Sequence, residues 1–575
     1  MPLFFIPFFL FLTRMENKPI ARVLKLLSQL MELHEENSFK VKTIATAGFT
    51  IDKLPFSIAK KSLQEMEGIR AIGKSVAAKV QELIKTGSLK ELDDLLADTP
   101  PGVVEIMTIK GLGPKKVLVI WKSLGIENIG ELYYACNENR LIEAKGFGLK
   151  TQEEIKKAIE FKMASNGRFL YAQAESFGYN LLNDFKKVLT HELISFVGAF
   201  RRKVEIIDGL DLLVGSPLNT SILDYFNALD YLKVIQTQDN SIEAESPAGI
   251  KVYIRFCNPE NYYKTLVIQS GSTEHIKELE IRIGSALPDV GSEEELYTLA
   301  GLPFIEPELR EGEFEFKLAD QKALPTLILQ TDLKGSLHNH STWSDGINSL
   351  EEMVVFCKED MHLQYLGICD HSKSAFYAKG LSEERVLAQQ TEIDLLNTKY
   401  APFRIFKGIE SDILFDGSLD YPVEILSRFD FIVASIHSVF KMSEEKATSR
   451  LIKAIENPYT TILGHPTGRL LLSRSGYPVD IKKVIDACAE NGVVIEINAN
   501  PLRLDIDWRW HQYAIEKGVM LSINPDAHSI NGFRDTHYGV MAARKGGVSA
   551  VNCLNTLSMD EINLFFERKR LITTN

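Results

Sequence analysis

No two of the six cysteines stand as C-x-x-C; Cys136, Cys257, Cys357, Cys369, Cys488 and Cys553 are scattered. That excludes a cysteine zinc knuckle and fits a reducing cytoplasm. Positive charge is also lacking: the formal net charge is -12, which excludes a uniformly basic coat for nucleic acid but not local basic patches. The apolar start, Pro2 to Leu12, is short of the roughly 20 residues a bilayer span needs. Its first charge, Arg14, follows the apolar run, whereas a signal peptide carries positive charge ahead of it. Neither a span nor a leader fits, so no membrane partner is expected. Residues 1–14 read as an artefact of start-codon choice, with Met15-Glu-Asn-Lys-Pro as the natural start; a peripheral anchor is the alternative.

What is present is a chain of 575 residues, too long for one core, with ordinary soluble proportions of 45% apolar and 25% charged residues. Residues 15 to about 170 carry helical periodicity, as in Arg22-Val-Leu-Lys-Leu-Leu-Ser-Gln-Leu-Met-Glu-Leu. From about 171 to 260 the period changes, and Lys203 to Val214 and Ile250 to Phe256 read as strands. A smaller mixed segment runs to about 332. From 333 to 575, apolar runs ending near Leu337, Cys369, Ile409, Ile436, Leu463, Ile497 and Ile523 alternate with helical patterns. Seven strand–helix repeats predict a closed parallel barrel of the TIM type, one unit short, a distorted (β/α)7 fold.

Nine of the twelve histidines lie in this last part. His338 and His340 follow the first strand and face the same way, because side chains two apart on extended chain share a face. Asp345 follows in the loop, then Asp370-His371 after the second strand, Glu410 after the third, His437 after the fourth, His465 after the fifth, and Asp526 and His528 after the seventh. Each sits where a strand yields to its loop, the rim where such barrels keep their chemistry. A set of nine nitrogen and oxygen ligands (His338, His340, Asp345, His371, Glu410, His437, His465, Asp526, His528) without thiolate suits zinc, manganese or iron, and is large enough for two or three divalent cations. His362, His511 and His537 fall outside the pattern and read as structural.

The segments His338-Asn-His340, Asp370-His371-Ser, Gly408-Ile-Glu410, Ala434-Ser-Ile-His437-Ser, Gly464-His465-Pro and Asp526-Ala-His528-Ser resemble the polymerase-and-histidinol-phosphatase (PHP) domain family over about 240 residues. The resemblance implies one ion held by His338, His340, Glu410 and Asp526. It implies a second held by Asp345, His371 and His528, and a third shared by Glu410 with His437 and His465. It implies catalytic work for His338, His340, Glu410 and Asp526. Arg469, in His465-Pro-Thr-Gly-Arg, is a candidate phosphate clamp.

Three segments of the helical region repeat one pattern: Ile69-Arg-Ala-Ile-Gly73-Lys74, Ile109-Lys-Gly111-Leu-Gly113-Pro-Lys115 and Ala144-Lys-Gly146-Phe-Gly148-Leu-Lys150. They resemble helix-hairpin-helix motifs, whose turns can present backbone N–H groups to a DNA phosphate. The first has Ala71 where glycine is usual, so its turn is the least expected of the three. The order of parts resembles a bacterial family X DNA polymerase: helix-hairpin-helix repeats, an α+β nucleotidyltransferase palm, a thumb-like segment with Ser270-Gly-Ser-Thr-Glu-His275 and Pro307-Glu-Leu-Arg-Glu311, and a PHP domain. In that family Lys79 aligns with a lysine that in some relatives forms a Schiff base with abasic sugars; contact with phosphate or water is the plainer reading.

The palm departs from that pattern. Polymerase chemistry holds two magnesium ions on three carboxylates, two of them spaced D-x-D. Here Asp211 has Gly209 two residues before it, Asp208 points to the other face, and Glu205 lies six residues back. Tyr253 stands where the family has its third aspartate, and Gly198-Ala199 replaces the Gly-Ser before Arg201 and Arg202. Magnesium in the palm is therefore not expected, and polymerisation is expected to be lost, unless a shifted register brings Asp208 into use. The first expectation is a DNA-repair nuclease with 3′-to-5′ exonuclease activity on gapped DNA or 3′ ends. A small-molecule phosphatase of the histidinol-phosphatase type, a DNA scaffold and a working gap-filling polymerase are the alternatives.

Overall fold

In the computed structural model, residues 16–142, 144–164, 167–189 and 193–574 are described. The expected extension at residues 1–14 lies outside them. The chain divides into two compact units, the first made of the residues up to Cys136 with Leu141–Ile159, the second of Asn137–Arg140 with Glu160–Asn575. The sequence boundary near 170 thus comes earlier in space, within a helix. No described helix is long and apolar enough to cross a membrane.

The first unit is helical: α1 (Asn17–Leu33), α2 (Ser38–Lys53), α3 (Leu63–Glu67), α4 (Lys74–Thr86), α5 (Lys90–Ala97), α6 (Pro101–Ile106), α7 (Pro114–Leu118), α8 (Ile129–Asn137) and α9 (Leu149–Ala164). The α1 stripe of Ile20, Leu24, Leu27 and Met31 is buried, as are Ile44, Ala47 and Ile51 of α2. Asn37 caps α2 by accepting from the N–H groups of Phe39 and Lys40. Ser62 and Glu65 close a capping box on α3.

The second unit begins with a five-stranded mixed sheet: β1 (Ile194–Val197), β2 (Leu210–Val214), β3 (Lys233–Gln238), β4 (Ser241–Glu245) and β5 (Lys251–Phe256), in the order β1-β2-β5-β4-β3. The long strand expected from Lys203 breaks at Asp208-Gly209; only Ile206–Ile207 and Leu210–Val214 are extended. A small apolar cluster follows, built on Leu279, Leu296, Tyr297 and Leu309. Beside it His275 is buried between Glu315, 2.8 Å away, and the Tyr297 hydroxyl, 2.9 Å away.

Two parallel sheets make up the rest. One contains β6 (Gly335–Ser336), β7 (Tyr365–Ile368) and β8 (Arg404–Lys407); the other contains β9 (Glu410–Asp412), β10 (Val433–Ser435), β11 (Ile462–Leu463), β12 (Val494–Asn498) and β13 (Leu521–Asn524). Parallel bridges join the two sheets at His371–Glu410 and at Asn339–Ala527. Every strand expected from the apolar runs is present within a few residues; the third is split into β8 and β9. Ser349, Ser382, Ser443 and Asp480 each cap the helix that follows a strand, which is why the chain turns back so regularly. The strands enclose Leu337, Phe406, Phe431, Val433 and Ile462, and the last helix adds Ile562 and Phe566.

Candidate metal centre

The strands deliver their polar ends to one place. Eight of the nine expected ligands fall in three overlapping groups whose ligand atoms lie within 4.8 Å of one another: His340, Asp345, His371 and His528; His338, His340 and Asp526; His371, Glu410 and His437. His465 joins through its Nε2, 3.0 Å from Glu410 Oε1. The grouping differs from the one the resemblance implies, since His340 also sits with Asp345 and His371 also sits with His437.

Glu410 is the hub. Five imidazoles approach its carboxylate: His371 at 3.0 Å, His465 at 3.0 Å, His437 at 3.1 Å, His338 at 3.4 Å and His340 at 3.6 Å. The site is almost wholly buried, with Glu410 1% and His338 0% exposed. Burial disfavours the Glu410 charge, yet His437, His338 and His371 hold its carboxyl well below the usual range. Burial, with His528 and His371 alongside, pushes His340 down to about 3. His437 and His528 are opposed by burial, but Glu410 with Asp412, and Asp345 with Asp526, carry them up to about 9.

His338 Nε2, His340 Nδ1, Asp345 Oδ2 and His528 Nε2 are buried without a hydrogen bond of good geometry. Orphaned polar atoms cost roughly 1–3 kcal/mol each, and several aimed at one spot call for a cation. The nitrogen and oxygen donors fit zinc, manganese or iron.

A second layer of side chains orients these ligands. Glu496 Oε1 lies 2.7 Å from His338 Nδ1, and Glu496 Oε2 accepts the backbone N–H of His465 at 2.8 Å. Asp412 lies 2.5 Å from His437 Nδ1. Asp370 accepts from Ser341 at 2.7 Å and Gln389 at 2.6 Å, which places it behind the ligands. Sequence reasoning missed Glu496, although a carboxylate inside Val493-Val-Ile-Glu-Ile-Asn-Ala was the available signal.

Arg469 is engaged within the fold. Its Nε donates to the Arg503 carbonyl at 2.9 Å, and its guanidinium also binds Asp507 at 2.5 Å and the Leu504 carbonyl. Three of its five N–H groups are thus spent on the 503–507 loop, which it ties down. The arginine beside the cluster is Arg503, buried, with Nε 4.0 Å from Asp526 Oδ2. Of the three outlying histidines, His511 is buried, 3.3 Å from the Ile506 carbonyl, and His537 pairs with Glu175 at 2.8 Å.

In the mixed sheet, Asp211 stands in register with Tyr253 on the neighbouring strand. Asp208 points to solvent with its side chain 85% exposed, so it is not brought to Asp211. Gly209 has no space for a side chain: a Cβ there would lie 2.8 Å from the Lys251 carbonyl oxygen. Burial raises the Asp211 carboxyl despite Arg255 and Arg202 nearby. The arginines are engaged elsewhere. Arg201 binds Glu293 at 2.5 Å, and Arg202 binds Glu311 at 2.9 Å, an acid that also holds Lys545.

The three Gly-turn segments of the first unit have one shape. Ala71, Gly111 and Gly146 all take left-handed backbone, at φ of 68°, 91° and 89°. The same turn bond closes each, Ile72 to Ile69 at 3.0 Å, Leu112 to Ile109 at 3.1 Å and Phe147 to Ala144 at 3.1 Å. The alanine therefore does not abolish the first turn. Gly73 and Gly113 cap the helices that begin at Lys74 and Pro114, ahead of Lys115; Gly148 precedes α9 and Lys150. Lys79 of α4 is ion-paired with Glu91, which also holds Lys40 at 2.8 Å.

Comparison with known proteins agrees with this division. Residues 15–89 match the helix-hairpin-helix domain family, and residues 103–160 match the SAM-like helix-hairpin-helix tandem. The first unit is thus a set of helix-hairpin-helix modules. Over 96% of its length the chain is 33% identical to the whole of the DNA polymerase/3′-5′ exonuclease PolX of Bacillus subtilis (strain 168). A probable phosphatase of Thermoanaerobacter sp. (strain X514) is 31% identical over 31% of this chain and 74% of its own length. One of Caldanaerobacter subterraneus subsp. tengcongensis is 30% identical over 31% of this chain and 71% of its own. The chain belongs to the PolX family.

Proposed function

We propose that the protein is a DNA-repair nuclease in which the Glu410-centred cluster hydrolyses DNA phosphodiesters, acting as a 3′-5′ exonuclease on single strands, gaps or 3′ ends. The observation that carries this is the ring of five imidazoles around one buried carboxylate, with further ring nitrogens left unpaired. We read the two parallel sheets, bridged on both sides, as one closed (β/α)7 barrel covering residues 333–575. Residues 15–170 then form the DNA-binding region, 171–260 the palm and 261–332 the thumb-like segment.

The nine ligands would hold two or three manganese, zinc or iron ions. When bound, such ions lower the pKa of water and neutralise charge on the phosphoryl oxygens. The chain's own part is to hold that arrangement. Glu496 fixes the His338 ring so that Nε2 faces inward, Asp412 does the same for His437, and Arg503 supplies positive charge beside Asp526. Gly73 and Lys74, Gly111, Gly113 and Lys115, and Gly146, Gly148 and Lys150 would hold the DNA backbone. Gly73, Gly113 and Gly148 support this: a Cβ at any of them would meet nothing of the protein within 4 Å, so the bare backbone serves an outside partner.

Polymerisation is lost in this reading. Of the three carboxylate positions of the polymerase pattern only Asp211 is filled, which cannot hold two magnesium ions, and Arg201 and Arg202 are neutralised by acids. The test is His340→Ala. Degradation of single-stranded DNA should disappear while DNA binding survives, and primer extension with manganese should be absent from this variant. Retained degradation would refute the cluster's role, and primer extension would refute the palm's inactivity. The phosphatase relatives favour one further arm: faster turnover of a small phosphomonoester than of DNA would make the barrel a small-molecule phosphatase.

A further inference from the structure

The turn that follows Asp370-His371 carries two adjacent aromatic residues, one directed inward and one outward. Tyr377 is half-buried beside the metal centre, its ring centre 6.0 Å from that of His371 and 6.5 Å from that of His437. Phe376, one residue earlier, is 87% exposed. A lone exposed phenylalanine is ordinary; this one is held rigidly at the rim of a buried site. It opens a single 3-10 turn, Phe376–Ala378, and Ala375 and Ala378 on either side are fully buried. The Gly380 N–H closes the loop on the Ala375 carbonyl at 3.0 Å. Ser374 anchors it, its N–H donating to Asp420 at 2.6 Å and its hydroxyl to Asp412 Oδ2 at 2.8 Å. The other Asp412 oxygen lies 2.5 Å from His437 Nδ1. One carboxylate therefore fixes both a candidate metal ligand and the turn that holds Phe376 out.

We propose that Phe376 is a specificity-determining residue of the metal centre: the base of a strand's 3′-terminal nucleotide stacks on its ring while the phosphate of that nucleotide lies at the Glu410 cluster. The proposal rests on the nuclease reading above and names the part of the substrate that the cluster itself does not read. A base is joined to its phosphate through one sugar, so a phosphate at the cluster leaves its base beside the rim. Consecutive Cα atoms are about 3.8 Å apart, so Phe376 stands one residue outside Tyr377, the wall next to the ligand rings. A phenyl ring has no hydrogen-bonding group and takes any base through its face. That suits an enzyme that must accept each base of a strand in turn. A protein partner fits less well: Ala375, Ala378 and Leu381 are buried, so no second apolar side chain of the turn widens the ring into a patch.

The test uses the full chain with manganese and three 5′-labelled single strands that differ only in the 3′-terminal residue, which is adenine-bearing, thymine-bearing or abasic. The readout is kcat/KM for removal of that residue. The wild type should take the adenine end fastest, since stacking is stronger for a purine, and the abasic end about tenfold more slowly than the thymine end. Phe376→Ala should bring both base-bearing ends down by about tenfold, to the abasic rate, and abolish the preference for adenine. The abasic rate itself should stay as in the wild type. Phe376→Trp should keep the wild-type order. Leu395→Ala removes another exposed apolar side chain, 68% exposed on the helix Glu383–Tyr400, and should change nothing. Circular dichroism melting checks that the variants fold. Unchanged rates for Phe376→Ala on the base-bearing ends overturn the proposal. An equal loss on all three ends also overturns it, because the ring would then only shape the site. A wild type that degrades none of the strands sinks the nuclease reading; one that takes all three ends at the same rate sinks only the stacking platform.

Discussion

Glu496 holds two of the candidate ligand histidines at once: one oxygen lies 2.7 Å from His338 Nδ1, and the other accepts the backbone N–H of His465 at 2.8 Å. The Asn524 amide donates to the same carboxylate at 3.1 Å, so its own orientation is fixed. A carboxylate on Nδ1 sets the His338 tautomer and leaves Nε2 as the ligand atom.

Glu496→Gln tests that relationship. The amide has one acceptor oxygen for two donors, so either His338 or His465 faces an N–H group. Manganese affinity should fall by about 10–100-fold, measured by titration with metal content checked by mass spectrometry. Exonuclease activity should recover partly at high manganese. Unchanged affinity would show that Glu496 is only a packed strand residue.

Removal of metal should give the protein a pH dependence it lacks when loaded. His437 and His528 are raised to about 9 by the acids around them. An unfolded histidine titrates near 6.5. Their contribution is therefore complete below about pH 6.5 and is lost as pH rises through about 9. Melting of chelator-treated protein should drop by several degrees from pH 6.5 to 9.5. With manganese bound the same rings are held deprotonated, so the melting temperature should not show that fall. Equal slopes for the two forms would count against the cluster.

Arg469→Ala should act on stability first. The substitution strips the 503–507 loop of three bonds, one of them to Asp507. Charged hydrogen bonds contribute about 1.5–3 kcal/mol each, so chemical denaturation should show a loss of about 2–4 kcal/mol after partial relaxation. Because the loop carries Arg503, activity should fall as well. Arg469→Ala with wild-type stability but a raised KM would restore Arg469 as a phosphate clamp.

On the proposed reading, adding carboxylates beside Asp211 should not yield a polymerase. Tyr253→Asp finds space opposite Asp211, but Gly209→Asp drives a Cβ to 2.8 Å from the Lys251 carbonyl oxygen, on a strand paired to β2. Primer extension by the double variant, made with His340→Ala to silence degradation, should remain undetectable. The double variant should melt earlier than its parent. Nucleotide addition would mean that β5 can shift to make room, and would overturn the proposed loss of polymerisation.

The strands of the two parallel sheets were legible because they are short apolar runs with a histidine or acid at the end, so period and chemistry marked the same positions. Glu496 escaped notice because it lies inside its strand and its partners, His338 and His465, are 158 and 31 residues away. The internal partners of Arg469 were hidden for a similar reason: they are on a loop 34 to 38 residues later. The break at Asp208-Gly209 was hidden by the apolar residues on either side, which read as one strand. Ala71 looked like a defect because local preference disfavours left-handed alanine, whereas the Ile72-to-Ile69 turn bond and the buried Ile72 side chain accompany it at φ 68°.

The Gly turns give a last test in which two glycines two residues apart should behave differently. Gly111 has φ 91°, which a side chain resists, so Gly111→Ala should cost about 1–2 kcal/mol of stability. Gly113 has φ −87° and open space around it, so nothing in the folded chain demands glycine there. Gly113→Val should therefore melt within a degree or two of the parent. It should nevertheless weaken duplex binding several-fold, because the new side chain stands where a phosphate would approach the helix start. A Gly113→Val protein that binds duplex as tightly as its parent would remove this turn from the DNA surface.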